Sequence, residues 1–136
     1  LLVDEMMRTI SLASNYDDLK PYADELSSSL QLSQKILQKL MPFAMKGNYE
    51  RYLSDANLFM EYMSIVVMSW LWLEMAVNSK EKITANDLKH SKIFYESKIH
   101  TMKFYFKYEL PKTLSLAETL MSDEVLTIKE DTEYIV

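Results

Sequence analysis

Two histidines, His90 and His100, are the only imidazoles in the chain, and neither sits in a spacing that organises chemistry. A di-metal centre in a helical bundle needs Glu-x-x-His on two helices and two further inward carboxylates. The nearest approach is a single Asp87-x-x-His90 with the shorter acid, which reads as a surface or cap histidine. No serine stands near either histidine in a nucleophile motif, so a triad is not supported. Glu61 and Glu74 are acids of the most apolar segment, where an unpaired carboxylate titrates high and serves as a base. Their thirteen-residue separation sets them about 140° apart around a helix axis, so they do not form a pair. The plainer reading is a partly exposed carboxylate, or one bonded to a neighbouring Tyr or Lys. No catalytic, cofactor-binding or metal-ligating residue is therefore assigned to this chain.

A cationic pattern is stronger. Lys89, Lys92, Glu96, His100, Lys103 and Lys107 recur at steps of three and four, one stripe of a helix. Ile93, Phe94, Phe104 and Tyr108 flank it on one side, and Tyr95, Ile99, Met102, Phe106 and Leu110 on the other. Such a helix is expected to pack against two neighbours at once, with Lys98 snorkelling between them on the far side. The stripe suits an anionic partner, whether a phosphate-bearing ligand or an acidic subunit surface. It equally suits a solvated face with Lys92–Glu96 as a helical ion pair.

The elements that position these residues follow from periodicity. A first helix is predicted over about 1–14, with Leu2, Met6, Ile10 and Leu12 or Ala13 inward. Asp17, Asp18 and Pro21 then signal a helix start. That second helix is predicted to run to about Met45 through Tyr22, Leu26, Leu30, Ile36, Leu37, Leu40 and Ala44. Pro42 would kink it and Gly47 would close it as a left-handed cap. The third, from about Tyr49 to Asn78, has Tyr49, Leu53, Ala56, Met60, Met63, Val67 and Trp70 on one face. From Ile65 to Leu73 it is apolar all round except Ser69, so it is expected to be enclosed on every side. A polar loop is predicted at 78–82, then a helix capped by Thr84 or Asn86 and running to about Leu110, with Pro111 ending or bending it. Leu114, Ala117, Leu120 and Met121 mark a short fifth segment. The sum is an all-α, antiparallel up-down helical bundle of four to five helices over residues 1–122. Residues 123–136 form an acidic C-terminal tail, either frayed or docked through Val125, Leu126 and Ile128.

Composition excludes several functions. One glycine in 136 residues leaves no glycine-rich phosphate loop. Without cysteine there is no disulfide, thiolate nucleophile or cysteine–zinc site, which suits a cytoplasmic setting. A net charge of −5 disfavours nucleic acid. That charge is uneven: residues 81–112 hold seven lysines against four acids, and 113–136 hold one against six. The window Leu58–Val77 has the length of a membrane span, but Glu61 and Glu74 within it, with no nearby cation, favour a core helix over lipid. The chain opens on Leu1 inside an apolar-periodic segment, so it is expected to be a fragment of a longer protein.

Two stretches resemble a known family. They are Asp55-Ala-Asn-Leu-Phe-Met with Val67-Met-Ser-Trp-Leu-Trp-Leu-Glu-Met-Ala76, and Phe94-Tyr-Glu-Ser-Lys98-Ile with Lys103-Phe-Tyr-Phe-Lys-Tyr-Glu-Leu110-Pro111. Their order and spacing resemble the appended C-terminal helical domain of the acyl-CoA dehydrogenase family, over roughly residues 20–122. Ser64 or a neighbour departs from a glycine of the family's central helix, and the stretch after Val77 is lysine-rich where relatives are alanine-rich. The resemblance implies an upstream dehydrogenase body in the same chain. That parent binds FAD, oxidises acyl-CoA to 2-enoyl-CoA with a glutamate base, passes electrons to an electron-transfer flavoprotein, and is a homo-oligomer. The base and flavin contacts of the family lie upstream, and neither Glu61 nor Glu74 matches the base's motif. The segment's own expected role is structural, in subunit contacts or in covering the substrate entrance. Two other readings stand beside this one. A free-standing helical protein-interaction module draws on the ten methionines, and a membrane-surface protein needs an exposed apolar face.

Overall fold

Helix α1, Leu2–Ala13, turns one face inward through Met6, Thr9, Ile10 and Ala13. Leu2, expected inward, is exposed, and of the two alternatives Leu12 and Ala13 it is Ala13 that is buried, with Thr9 completing the inward face. Thr9 earns that place by accepting a hydrogen bond from Trp70 Nε1–H at 2.9 Å while donating to the Glu5 carbonyl at 3.2 Å. The computed structural model describes residues 1–45 and 49–122. The expected cap at Gly47, the inward Ala44 side chain, and the tail 123–136 with Val125, Leu126 and Ile128 lie outside the described residues.

Turns over residues 14–19 lead into α2, Lys20–Met45, with Pro42 inside its last turns. Ala23, Leu26, Leu30, Ile36 and Leu40 form its buried row, while Leu37 stays exposed. Helix α3, Tyr49–Ala85, is the hub and touches α1, α2, α4 and α5. At 37 residues it spans about 55 Å. Helices α4, Lys92–Tyr108, and α5, Lys112–Met121, complete an all-α bundle. Tyr62 meets Ser29 and Lys80 meets Asp18, so α2 and α3 run antiparallel, and the short connection 86–91 turns α4 back along α3 in the same way. One continuous core joins Met6, Leu26, Tyr62, Leu73, Met102 and Leu120.

Two expectations about where helices end and begin are corrected. The polar stretch 78–82 is helix, not loop. Ser79 is buried and Lys80 and Ile83 continue the inward row of Leu73, Ala76 and Val77 at three- and four-residue steps. Lys and Glu favour helix, so polarity alone did not stop it. The helix ends instead at Asn86, whose φ of 53° is the left-handed conformation that asparagine tolerates, with Asp87 N–H donating to the Lys82 carbonyl at 3.1 Å. The cap of α4 is accordingly Ser91, whose side chain accepts from Phe94 N–H at 3.3 Å, rather than Thr84 or Asn86. Helix α4 ends at Tyr108, and Pro111 caps α5.

The inward face of α3 is also rotated from the expected one. Tyr62, Val66, Ser69, Leu73 and Ala76 are buried, whereas Leu53 and Met60 are 62% and 67% exposed. Nor do the described residues enclose the helix: Met68, Leu71 and Met75 are exposed on its outer side. A helix apolar on all sides does not announce its core face by periodicity. Here that face is set by two residues with satisfied hydroxyls. Ser69 Oγ donates to the Ile65 carbonyl at 2.7 Å, and Tyr62 Oη donates across to the Ser29 carbonyl at 2.7 Å. By length and composition α3 also passes as a membrane span, a measure that a bundle's core helix meets too. Ser64 faces outward, bonded only to the Met60 carbonyl, so its departure from glycine disturbs no helix contact among the described residues.

Candidate functional site

The antiparallel α3–α4 pair brings the basic edge of α4 beside the last turns of α3. There Lys92, Glu96, His100 and Lys103 join Lys80 and Asp18 around a groove of about 500 Å³, floored by Ile83 and Ile99. Asp18 arrives from the turn before α2, so three chain segments build this wall. Lys80 Nζ donates to Asp18 at 2.8 Å, and that bond holds the Asp18 carboxyl below the usual carboxylate range. Lys92 pairs loosely with Glu96 at 3.7 Å, as the solvated-face reading anticipates. Lys103 and His100 have no hydrogen-bonding or ion-pair partner among the described residues. The groove is thus mildly cationic, with two anion-accepting side chains left over an apolar floor.

The expected six-residue stripe is split by the fold. Lys89 lies in the bend before α4, outside the helix, where its backbone N–H donates to Tyr95 Oη at 3.2 Å, and it does not line the groove. Lys107 points past the groove, with Nζ 5.3 Å from the centre of the Tyr108 ring. The two apolar strips also part company. Tyr95, Ile99, Met102, Phe106 and Leu110 are buried, and Phe106 meets Tyr22 edge-on at 5.5 Å. Ile93, Phe94, Phe104 and Tyr108 remain exposed, so among the described residues α4 packs on one side rather than two. Lys98 Nζ lies 5.0 Å above the Phe94 ring, a snorkelling position that also supplies a cation–π contact.

The remaining chemistry-bearing residues stay apart. His90 is exposed and lies against the Phe94 ring, centres 4.5 Å apart and planes tilted by 40°. Glu61 is exposed and Glu74 half-buried. Among the described residues no three histidine or acidic side chains converge as a metal site. A second cleft of about 390 Å³ between α2 and the α4–α5 corner contains Glu25, Ser28 and Ser29. Burial raises the Glu25 carboxyl there, yet no histidine lines the cleft to pair with a hydroxyl. Among the described residues, neither cleft brings a histidine together with a serine or threonine hydroxyl.

Lys80 and Asp18 are the groove residues that sequence reasoning missed. A signal existed in the three- and four-residue spacing of Leu73, Ala76, Lys80 and Ile83, hidden by the polarity of the residues between them. The family described as "Acetyl-CoA dehydrogenase C-terminal like" matches residues 2–129, reaching further at each end than the motifs alone. No curated protein and no solved structure matches the chain.

Proposed function

The chain belongs to the acetyl-CoA dehydrogenase C-terminal-like family, and from that membership we propose that it is the appended helical domain of an FAD-dependent, cytoplasmic acyl-CoA dehydrogenase. The single observation that carries this reading is the near full-length family match, whose two aromatic motifs lie on the packed pair α3 and α4. The parent oxidises an acyl-CoA to its 2-enoyl-CoA and hands electrons to an electron-transfer flavoprotein. Flavin supplies the hydride acceptor in that reaction. This chain's residues do not fit the flavin: one glycine leaves no loop through which backbone N–H groups reach a pyrophosphate. Glu61 and Glu74 lie on different flanks of α3, and neither faces the basic groove. No step of the chemistry is derived through this segment. Its work is structural, covering part of the dehydrogenase body or the substrate entrance and making subunit contacts through α3 and α4.

The test uses the intact parent gene product under anaerobic conditions. A bound flavin whose visible spectrum bleaches with one chain-length class of acyl-CoA supports the reading. Removing residues 1–136 from that parent is then expected to change flavin retention, acyl preference or subunit number. No change in any of the three would sink the structural role. A colourless parent favours the second reading, a helical protein-interaction module, which the exposed Met60, Met68 and Met75 support independently.

A further inference from the structure

Helix α4 carries the lysines Lys92, Lys98, Lys103 and Lys107 and the histidine His100. Three of those lysines are engaged: Lys92 with Glu96 at 3.7 Å, Lys98 over the Phe94 ring at 5.0 Å, and Lys107 over the Tyr108 ring at 5.3 Å. Lys103 and His100 have no hydrogen bond, ion pair or ring contact among the described residues. They are three positions apart, so their Cβ atoms stand about 5–6 Å from each other on one helix face. Both line the groove between α3 and α4. The two unengaged basic side chains of α4 therefore fall together, and they fall in a cavity.

The opposite wall is set without them. Lys80 donates to Asp18 at 2.8 Å, and behind that bond the Lys103 charge also holds the Asp18 carboxyl low, which puts the Lys103 ammonium on the groove side of α4. Lys80, Lys92 and Lys103 against Asp18 and Glu96 leave one positive charge in surplus before His100 is counted. Ile83 and Ile99 supply an apolar floor, and the volume of about 500 Å³ suits a small molecule. An occupant must be anionic, must present acceptor oxygens to two donors several ångströms apart, and must carry an apolar part for the isoleucines. A carboxylate has one charge and two coplanar oxygens. A phosphate monoester has three acceptor oxygens and a charge between about −1.5 and −2. A nucleic acid is disfavoured by the chain's net charge of −5. We infer that the α3–α4 groove binds a small phosphate monoester, whose oxygens accept from Lys103 Nζ and a His100 ring N–H while its apolar body lies on Ile83 and Ile99.

The full parent chain is acetylated with limiting acetic anhydride at constant ionic strength. Modification of Lys103 is read by mass spectrometry against Lys98 and Lys107 of the same helix, so a probe bound elsewhere on the parent does not count. Phenyl phosphate is the probe, and inorganic phosphate and phenol are its two halves. Phenyl phosphate is expected to slow acetylation of Lys103 at least threefold, saturating with half-effect at about 1–10 mM, while Lys98 and Lys107 are unaffected. Inorganic phosphate is expected to need at least three times the concentration, and phenol to give no protection. His100 is exposed, so His100→Gln leaves the core intact and is expected to raise the half-effect concentration at least fivefold. Protection that is absent, that does not saturate, or that is equal at the three lysines overturns the inference. So does a half-effect unchanged in His100→Gln, or a Lys103 that resists acetylation before any probe is added, since the groove is then covered in the parent. The visible spectrum is recorded on the same samples. A colourless parent in which Lys103 is still protected separates failure of the flavin reading from failure of this one.

Discussion

Replacing Tyr62 with Phe tests the hydrogen bond that orients α3 against α2. The ring is fully buried and stacked parallel to Phe59 at 6.4 Å, so Tyr62→Phe keeps its packing and removes only the hydroxyl. That hydroxyl donates to the Ser29 carbonyl at 2.7 Å. The carbonyl keeps its own helical N–H partner, so the loss near neutral pH is about 1 kcal/mol rather than the larger cost of an orphaned group. Burial pushes the Tyr62 phenol up from 10.0 to about 12, which adds a second, pH-dependent signature. The folded state holds this proton more tightly than the unfolded chain does. The linked stability is therefore intact below pH 10 and lost as pH rises towards 12. Between pH 9 and 11 the wild type loses on the order of 1 kcal/mol through this group alone, a loss Phe cannot show. Urea titrations followed by far-ultraviolet circular dichroism are expected to find the variant about 1 kcal/mol less stable at pH 8. By pH 11 the gap closes. A gap that stays constant across that range would refute both the buried phenol and its role in orienting α3.

Trp70→Phe removes the N–H that reaches Thr9, so α1 is expected to exchange its amide hydrogens faster than α4 and the urea midpoint to fall by about 1–2 kcal/mol equivalent. Ser91→Ala deletes the α4 cap; about 1 kcal/mol of stability and the exchange protection of the amides at 92–95 are expected to go with it. Asp18→Asn breaks a partly exposed pair with Lys80, and denaturant titration at pH 7 is expected to show a cost below about 1 kcal/mol. Because Asp18 is held below its ordinary 3.8, that contribution is present above the ordinary value and lost as pH falls through the lowered one, so wild type and variant are expected to converge in acid.

Much of the bundle was legible in the chain because helix-forming periodicity is local. The α2 start at Lys20, the rows Leu26–Leu30–Ile36–Leu40 and Tyr95–Ile99–Met102–Phe106, and the near absence of glycine all follow from 3.6 residues per turn and from what turns require. The aromatic motifs on α3 and α4 likewise carried the family membership before any packing was known. Two things were not local. Which side of α3 faces inward depended on partners distant in sequence: Ser29 for Tyr62 and Thr9 for Trp70, 33 and 61 residues away. An all-apolar helix has no periodic contrast with which to encode that choice. Where α3 stopped depended on a left-handed Asn86 and on the neighbours that cover Ser79 and Lys80, so a polar run that read as loop stayed helical. The groove of Lys80, Asp18, Lys92 and Lys103 exists only because that extension carries Lys80 alongside α4. Sequence alone therefore determined the helices and their family. Tertiary contact decided the rotation of the central helix, and with it which apolar face enters the core and which stays exposed among the described residues.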